Sequence, residues 1–157
     1  MRTPVTEFLE AAGVEYTIKP HSTKVYTCED AARERGVRLS QIVKCMVGAD
    51  PSGTLHVMLI PGDKSLKLKR ARQAAGGVRI ELVRPEQLAG EYGLTVGAIS
   101  PTQFVGRAAI YVDNSIFREE VVDISSGEAD AGIELRTEDL MRVLGAMRCD
   151  IISASGG

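Results

Sequence analysis

The sequence predicts an α+β domain, with a mixed, strongly curved sheet and flanking helices. Three observations carry this expectation. Helix-like and strand-like stretches are intermingled without the strict alternation that builds a parallel α/β sheet. Several strand pairs are joined by turns short enough to make them antiparallel. With three Phe, four Tyr and no Trp, the core has to be filled by Val, Ile, Leu and Ala. The 157 residues carry no internal repeat and no low-complexity linker, so a single compact domain is expected over 1–157.

The elements follow in order. Thr3-Pro4 reads as an N-cap followed by proline at the first helical position. Phe8, Leu9 and Ala12 form the apolar stripe of that helix, and Gly13 is its left-handed stop. Val14 to Lys19 alternates like a strand. Thr27 to Asp30 has the form of a capping box with Asp in place of Glu, opening a helix that Gly36 closes. Ile42 to Val47 and Thr54 to Ile60 read as a hairpin around the turn Asp50-Pro51-Ser52-Gly53. Ser65 is the expected cap of a helix over Leu66 to Ala75. Val78 to Val83 is a strand candidate, and Pro85 begins a short helix over 86–91. Ala108 to Val112, Val121 to Ser125 and Ile133 to Arg136 are further strands. Thr137 is read as capping a last helix over 138–144, and Ile151-Ile152 as closing the sheet. The tail from Ser153 is expected to fray.

Composition excludes several classes. Hydrophobic content of 44% with 25% charged residues rules out disorder along the whole chain. A net charge of -2 rules out a wholly basic nucleic-acid binder. No window approaches the ~18 apolar residues of a membrane span, so no membrane partner is expected. The first ten residues hold Arg2, Pro4 and Glu7 and lack a signal-peptide core, so the cytoplasm is the expected compartment. Cys28, Cys45 and Cys149 form no CxxC pair and read as free thiols. Two distant histidines, His21 and His56, give no metal-ligand spacing, so no metal and no cofactor is expected. Charge is nevertheless uneven. Lys64, Lys67, Lys69, Arg70, Arg72 and Arg79 follow one another with no acid between them. Such a run is either a solvated helix face or a surface for a polyanion.

Lys44 is the most informative residue. It interrupts the apolar strand Ile42-Val43-Lys44-Cys45-Met46-Val47, sharing a face with Ile42 and Met46. Burying an ammonium without a partner costs several kcal/mol. The amine therefore snorkels from a strand edge, or meets water, a carboxylate or an anionic ligand. The loop Gly97-Ala98-Ile99-Ser100-Pro101 is stiff enough to aim backbone N–H groups into one cavity, or is an ordinary turn. Asp113 at a strand end and the Ser125-Ser126-Gly127 turn supply a carboxylate and hydroxyls of the kind turns also use locally. His21, after Pro20, either faces a cleft or is a bonded loop histidine.

Taken in order, these segments resemble the YbaK/prolyl-tRNA synthetase-associated editing domain family. Cys28-Glu29-Asp30-Ala31-Ala32 with Gly36 is similar to the family's "x-EEAA-x-x-x-G" helix. Gln41 to Val47 resembles its "QIVKTLV" strand, and Ile60 to Lys69 its "PGD-x-x-LDLKKL" segment. Val96 to Pro101 resembles "VGGVSP", Tyr111 to Ser115 resembles "YVDES", and Leu140 to Ile151 the closing "LLxLTGAxVADI". The resemblance implies a barrel-like, YbaK-like sheet and a trans-editing deacylase. Such an enzyme hydrolyses the ester of a misacylated tRNA, with tRNA-Pro carrying alanine or cysteine as the expected substrate. It implies Lys44, Gly97 and Ser100 as catalytic residues. The loop residues Ala98, Ile99 and Pro101 are implied in substrate binding, and His21, Asp113, Ser125 and Ser126 are further candidates for it. Lys64, Lys67, Lys69, Arg70 and Arg72 then gain weight as contacts to the tRNA acceptor stem, and a synthetase is a candidate partner. Two departures stand out. Ala98 replaces the second glycine of the usual pair, and Ser125 to Asp130 replaces a basic "SAG-x-R" stretch. An inactive tRNA- or nucleotide-binding module, or a synthetase-associated adaptor, is the competing reading.

Overall fold

The structure, a computed structural model, describes residues 1–153. The expectation of a frayed tail falls mostly on 154–157, outside the described residues. Helices are α1 (Pro4–Ala11), α2 (Cys28–Arg35), α3 (Leu68–Ala74), α4 (Pro85–Tyr92) and α5 (Thr137–Leu144). Strands are β1 (Thr17–Pro20), β2 (Val43–Ala49), β3 (Leu55–Pro61), β4 (Glu81–Leu82), β5 (Ala108–Asp113), β6 (Val121–Ser125), β7 (Ala131–Arg136) and β8 (Met147–Cys149). They form a mixed α+β fold with two sheets. One is three-stranded and antiparallel, in the order β1-β7-β6; the other is five-stranded, in the order β4-β2-β3-β5-β8. The β3–β5 and β5–β8 pairs are parallel and the remainder antiparallel. The sheets do not close into a barrel. They touch at one isolated parallel bridge, Ile42 to Asp123.

Alternation along β2 and β3 decides which side chains meet. Val43, Val47, Val57 and Leu59 enter the main core with Ile124 and Ile133 of the smaller sheet and Leu9 of α1. Met58 and Ile60 point the other way, onto Ala71 of α3 and onto Ile80. A third cluster seats Ala31 and Ala32 of α2 on Val25 and Ile42. Each fully buried aliphatic side chain contributes about 1.5–3 kcal/mol, so the large sheet is held from both faces.

Local chemistry sets the ends of the elements. Thr3 caps α1, its Oγ1 accepting from the Thr6 amide at 3.2 Å. Gly13, at φ +71°, lets the Val14 amide reach back to the Leu9 carbonyl at 2.9 Å. That is a Schellman closure, so Val14 belongs to the cap and β1 starts three residues later than expected. The helix expected from Leu66 begins at Leu68, because Leu66 bridges Ile152 and the Lys67 amide donates to the Ile151 carbonyl at 2.7 Å. Ser65 is therefore not its cap. Thr137 lies inside α5 and donates to the Glu119 carbonyl. His56 is a structural residue, its ring held between Asp50 at 2.8 Å and the Tyr111 hydroxyl at 3.0 Å. That bond, with Ser52 adding to it, holds the Asp50 carboxyl down at about 2.

Candidate functional site

A cavity of about 220 Å³ opens where the two sheets meet, between α2, the start of β2, the 96–99 loop and β6. The Ile42–Asp123 bridge brings β2 and β6 together at this place. Lys44, two residues along β2, lines the cavity with Gly97, Ile99 and Ser125. The Lys44 side chain is half-buried, and its Nζ donates to the Lys64 carbonyl at 2.7 Å. The amine on the apolar strand is thus satisfied by a neutral acceptor, and its charge is left uncompensated by any carboxylate within 4.0 Å among the described residues. That carbonyl opens the basic run, so the lysine and the basic segment are physically joined.

Gly97 has to be glycine. Its φ is +86°, and a Cβ there would lie 2.5 Å from the Val25 carbonyl oxygen and 3.0 Å from Tyr26 Cδ1. The Ala98 amide donates to the Thr95 carbonyl at 2.9 Å and the Ser100 amide to Gln103 Oε1 at 2.7 Å. The Gly97 and Ile99 amides have no acceptor among the described residues, and both residues line the cavity. Unpaired backbone donors on residues that line a cavity are what an oxyanion site draws on. Tyr26, 60% exposed, and Val96 form an apolar rim at the mouth.

Asp123 and Arg35 were not anticipated from the sequence. Asp123 is 0% exposed, lines the cavity, and neither carboxylate oxygen has a hydrogen-bond donor. Burial pushes its carboxyl up to about 6, opposed by the charge of nearby Arg35. Arg35, also buried, donates from Nη1 to the Ile124 carbonyl at 3.4 Å. Burial lowers its pKa, which Asp123 partly restores. Cys28 and Cys45 share the cavity. Burial raises both thiols, Cys45 to about 12, so neither is a ready nucleophile.

The remaining expected residues fall elsewhere. Ser100 and Pro101 are buried behind the loop, and the Ser100 hydroxyl does not line the cavity. Ala98 is buried with an ordinary negative φ and does not line the cavity. Ser126 turns its hydroxyl onto the Ala131 carbonyl at 2.7 Å, closing the β6–β7 turn. His21 bonds the Thr23 carbonyl at 2.6 Å and lies outside the cavity. Asp113 sits in a different concavity. Its carboxylate accepts from the Ser115 amide at 2.9 Å, within its own turn, and from the Ile151 amide at 2.8 Å, which ties β5 to the C-terminal segment. In the basic run, Lys67, Lys69 and Arg70 are exposed. Arg72 is tied down, donating to the Ile80 carbonyl at 2.9 Å and facing Glu81 at 3.4 Å. A larger, shallower groove beside α1, lined by Glu10, Tyr16 and Glu134, contains none of the expected residues.

Comparison with known proteins places this geometry. YwhH of Bacillus subtilis, an uncharacterised protein, is 25% identical over 126 residues, covering 80% of each chain. A candidate Cys-tRNA(Pro)/Cys-tRNA(Cys) deacylase of Enterococcus faecalis, EbsC, is 23% identical over 80% of this chain and 76% of its own. A proline–tRNA ligase of Thermosipho melanesiensis is 26% identical over 96 residues, 61% of this chain and 17% of the ligase. Among solved structures, the hypothetical protein APE2540 superimposes with a TM-score of 0.86 at 26% identity, over 95% of this chain and 99% of that one. A candidate trans-editing enzyme for prolyl-tRNA synthetase matches in fold with a TM-score of 0.79 at 22% identity, over 98% of this chain and 100% of that one. Residues 22–143 match the family described as the aminoacyl-tRNA editing domain. That span contains α2, Lys44, the Gly97 loop and Asp123, and the chain belongs to this YbaK-like editing family.

Proposed function

We propose that the chain hydrolyses the ester linking a small amino acid to the terminal adenosine of a misacylated tRNA, with tRNA-Pro carrying alanine or cysteine as the substrate. The observation that carries this reading is that Lys44 lines one small cavity together with Gly97 and Ile99, whose amides have no acceptor among the described residues. The two amides accept the charge that develops on the carbonyl oxygen during attack. Lys44 binds the terminal phosphate or ribose as a point charge and does not act as a nucleophile. The apolar rim of Tyr26 and Val96 offers a stacking surface to the terminal adenine. Val25, Ala31 and Ile42 give the cavity an apolar wall, which suits a short aliphatic side chain. Neither histidine lines the cavity; in this reading the attacking water is activated by the neighbouring ribose hydroxyl of the substrate, and Asp123 is left for another role. Lys64, Lys67, Lys69 and Arg70 approach the acceptor stem.

The test is deacylation of a panel of misacylated tRNAs by the purified protein alone. Ester loss well above the spontaneous rate, greatest for small amino acids, supports the reading. Tight tRNA binding without turnover contradicts it and favours the binding module. Activity only after adding a synthetase favours the adaptor.

A further inference from the structure

Resting on that reading, we propose that Asp123 receives the α-ammonium group of the esterified amino acid, and so restricts the site to esters with a free amine. The starting point is a carboxylate that the fold leaves unpaired. Both Asp123 oxygens are buried with no donor, in the wall of the cavity that holds Lys44 and the loop amides. An isolated buried carboxylate is costly, and an apolar or amide side chain at this place would cost less.

Arg35 does not relieve it. The guanidinium makes no ion pair with Asp123 within 4.0 Å and turns to the Ile124 carbonyl instead. Its charge opposes the rise that burial imposes on the carboxyl, without occupying the acceptor oxygens. The other charges near Asp123 come from β1 and β7. Lys19 and Glu134 neutralise each other at 2.7 Å. Among the described residues no cation lies within 4.0 Å of the Asp123 oxygens, and Arg35, whose Nε is itself buried without a partner, reaches them only at longer range.

The polarity of the cavity then matches an aminoacyl ester in three places. A cation, Lys44, meets the phosphate or ribose; paired N–H donors meet the carbonyl oxygen; and an anion, Asp123, meets the ammonium. The space between is lined by Val25, Ala31 and Ile42, which suits a short aliphatic side chain.

The experiment compares alanyl-tRNA with lactyl-tRNA, in which a hydroxyl replaces the amine in an otherwise isosteric ester. Single-turnover rates, each divided by the spontaneous rate, are measured for wild type and Asp123→Asn. A charge-assisted hydrogen bond of the usual strength predicts a wild-type preference for the alanyl ester of about 10- to 150-fold. In Asp123→Asn that preference collapses to within about threefold, through loss on the alanyl ester alone. The wild-type preference also fades below pH 6, as Asp123 protonates. Equal wild-type rates on the two esters overturn the proposal. So does an equal loss on both in Asp123→Asn, which identifies a base or a structural carboxylate. The same pair presented as non-hydrolysable amides of adenosine, with affinities measured by calorimetry, answers the question independently of turnover. Tighter binding of the alanyl amide supports the proposal and equal binding overturns it. Failure of the wild type to hydrolyse any misacylated tRNA counts against the deacylase reading instead.

Discussion

The guanidinium of Arg35 lies across Gly132, where a Cβ would sit 2.1 Å from Nε and 2.4 Å from Cζ. One residue is on α2 and the other on β7. The absence of a side chain at 132 is what lets an arginine run buried beside Asp123. Gly132→Ala is expected to expel the guanidinium and cost about 1–3 kcal/mol as an overpacked core does. In an Arg35→Ala background the same substitution costs close to nothing. Urea denaturation of the four proteins of this cycle checks it, and additive losses would show that the two residues are not coupled.

Asp123 makes stability depend on pH in an uncommon direction. Its carboxyl is raised to about 6 in the fold. An acid whose pKa is higher folded than unfolded binds protons preferentially in the folded state. Its cost is absent below about pH 4, grows as pH rises, and is complete above about pH 6. Asp123→Asn is therefore expected to stabilise the chain by about 1–3 kcal/mol at pH 7.5 and to leave it unchanged at pH 4. Equal effects at the two pH values would mean that the carboxyl is not perturbed.

Position 97 is predicted to tolerate no side chain. Gly97→Ala combines a positive φ with a 2.5 Å approach to the Val25 carbonyl oxygen. A loss of about 1–3 kcal/mol is expected. Deacylation should fall further than stability does, because the donors of Gly97 and Ile99 move together. A variant with wild-type turnover would remove these amides from the mechanism. Ala98→Gly, by contrast, is expected to leave turnover within about threefold, since Ala98 does not line the cavity.

How much of this was legible in the sequence depends on how local each signal is. Lys44 was conspicuous because a charge in an apolar strand has few outlets, and Gly97 because its loop spacing is specific. The hairpin of β2 and β3 followed from alternation and a turn with Asp50 and Gly53. Asp123 carries the same signal as Lys44, a charge within Val-Val-Asp-Ile, but what buries it, Arg35 of α2 and the meeting of two sheets, comes from distant segments. Arg35 carries only a weak signal. In the helix Cys-Glu-Asp-Ala-Ala-Arg-Glu-Arg it follows Cys28, Ala31 and Ala32 at helical spacing, on a face that Arg33 does not share, but an arginine at the end of that stripe reads as solvent-facing. Asp113 looked chemical because it ends a strand, yet its oxygens are used by two amides. The division into two sheets and the short strand β8 depend on parallel pairings between distant segments, which local patterns do not encode.

The exposed Lys67 and Lys69 form no ion pair within 4.0 Å among the described residues, unlike Arg72 and Arg79, which both face Glu81. If the two lysines contact acceptor-stem phosphates, Lys67→Ala with Lys69→Ala lowers the slope of log affinity against log salt by about 1–2. Titrating tRNA across salt concentrations measures this. An unchanged slope would move the tRNA to another face.

Lys44 provides the most direct test of the account. Single-turnover deacylation of alanyl-tRNA-Pro is compared for wild type and Lys44→Ala, with the melting transition recorded alongside. The account predicts a fold that melts as the wild type does and ester hydrolysis reduced to the spontaneous rate. A well-folded Lys44→Ala protein that retains full single-turnover activity would contradict it.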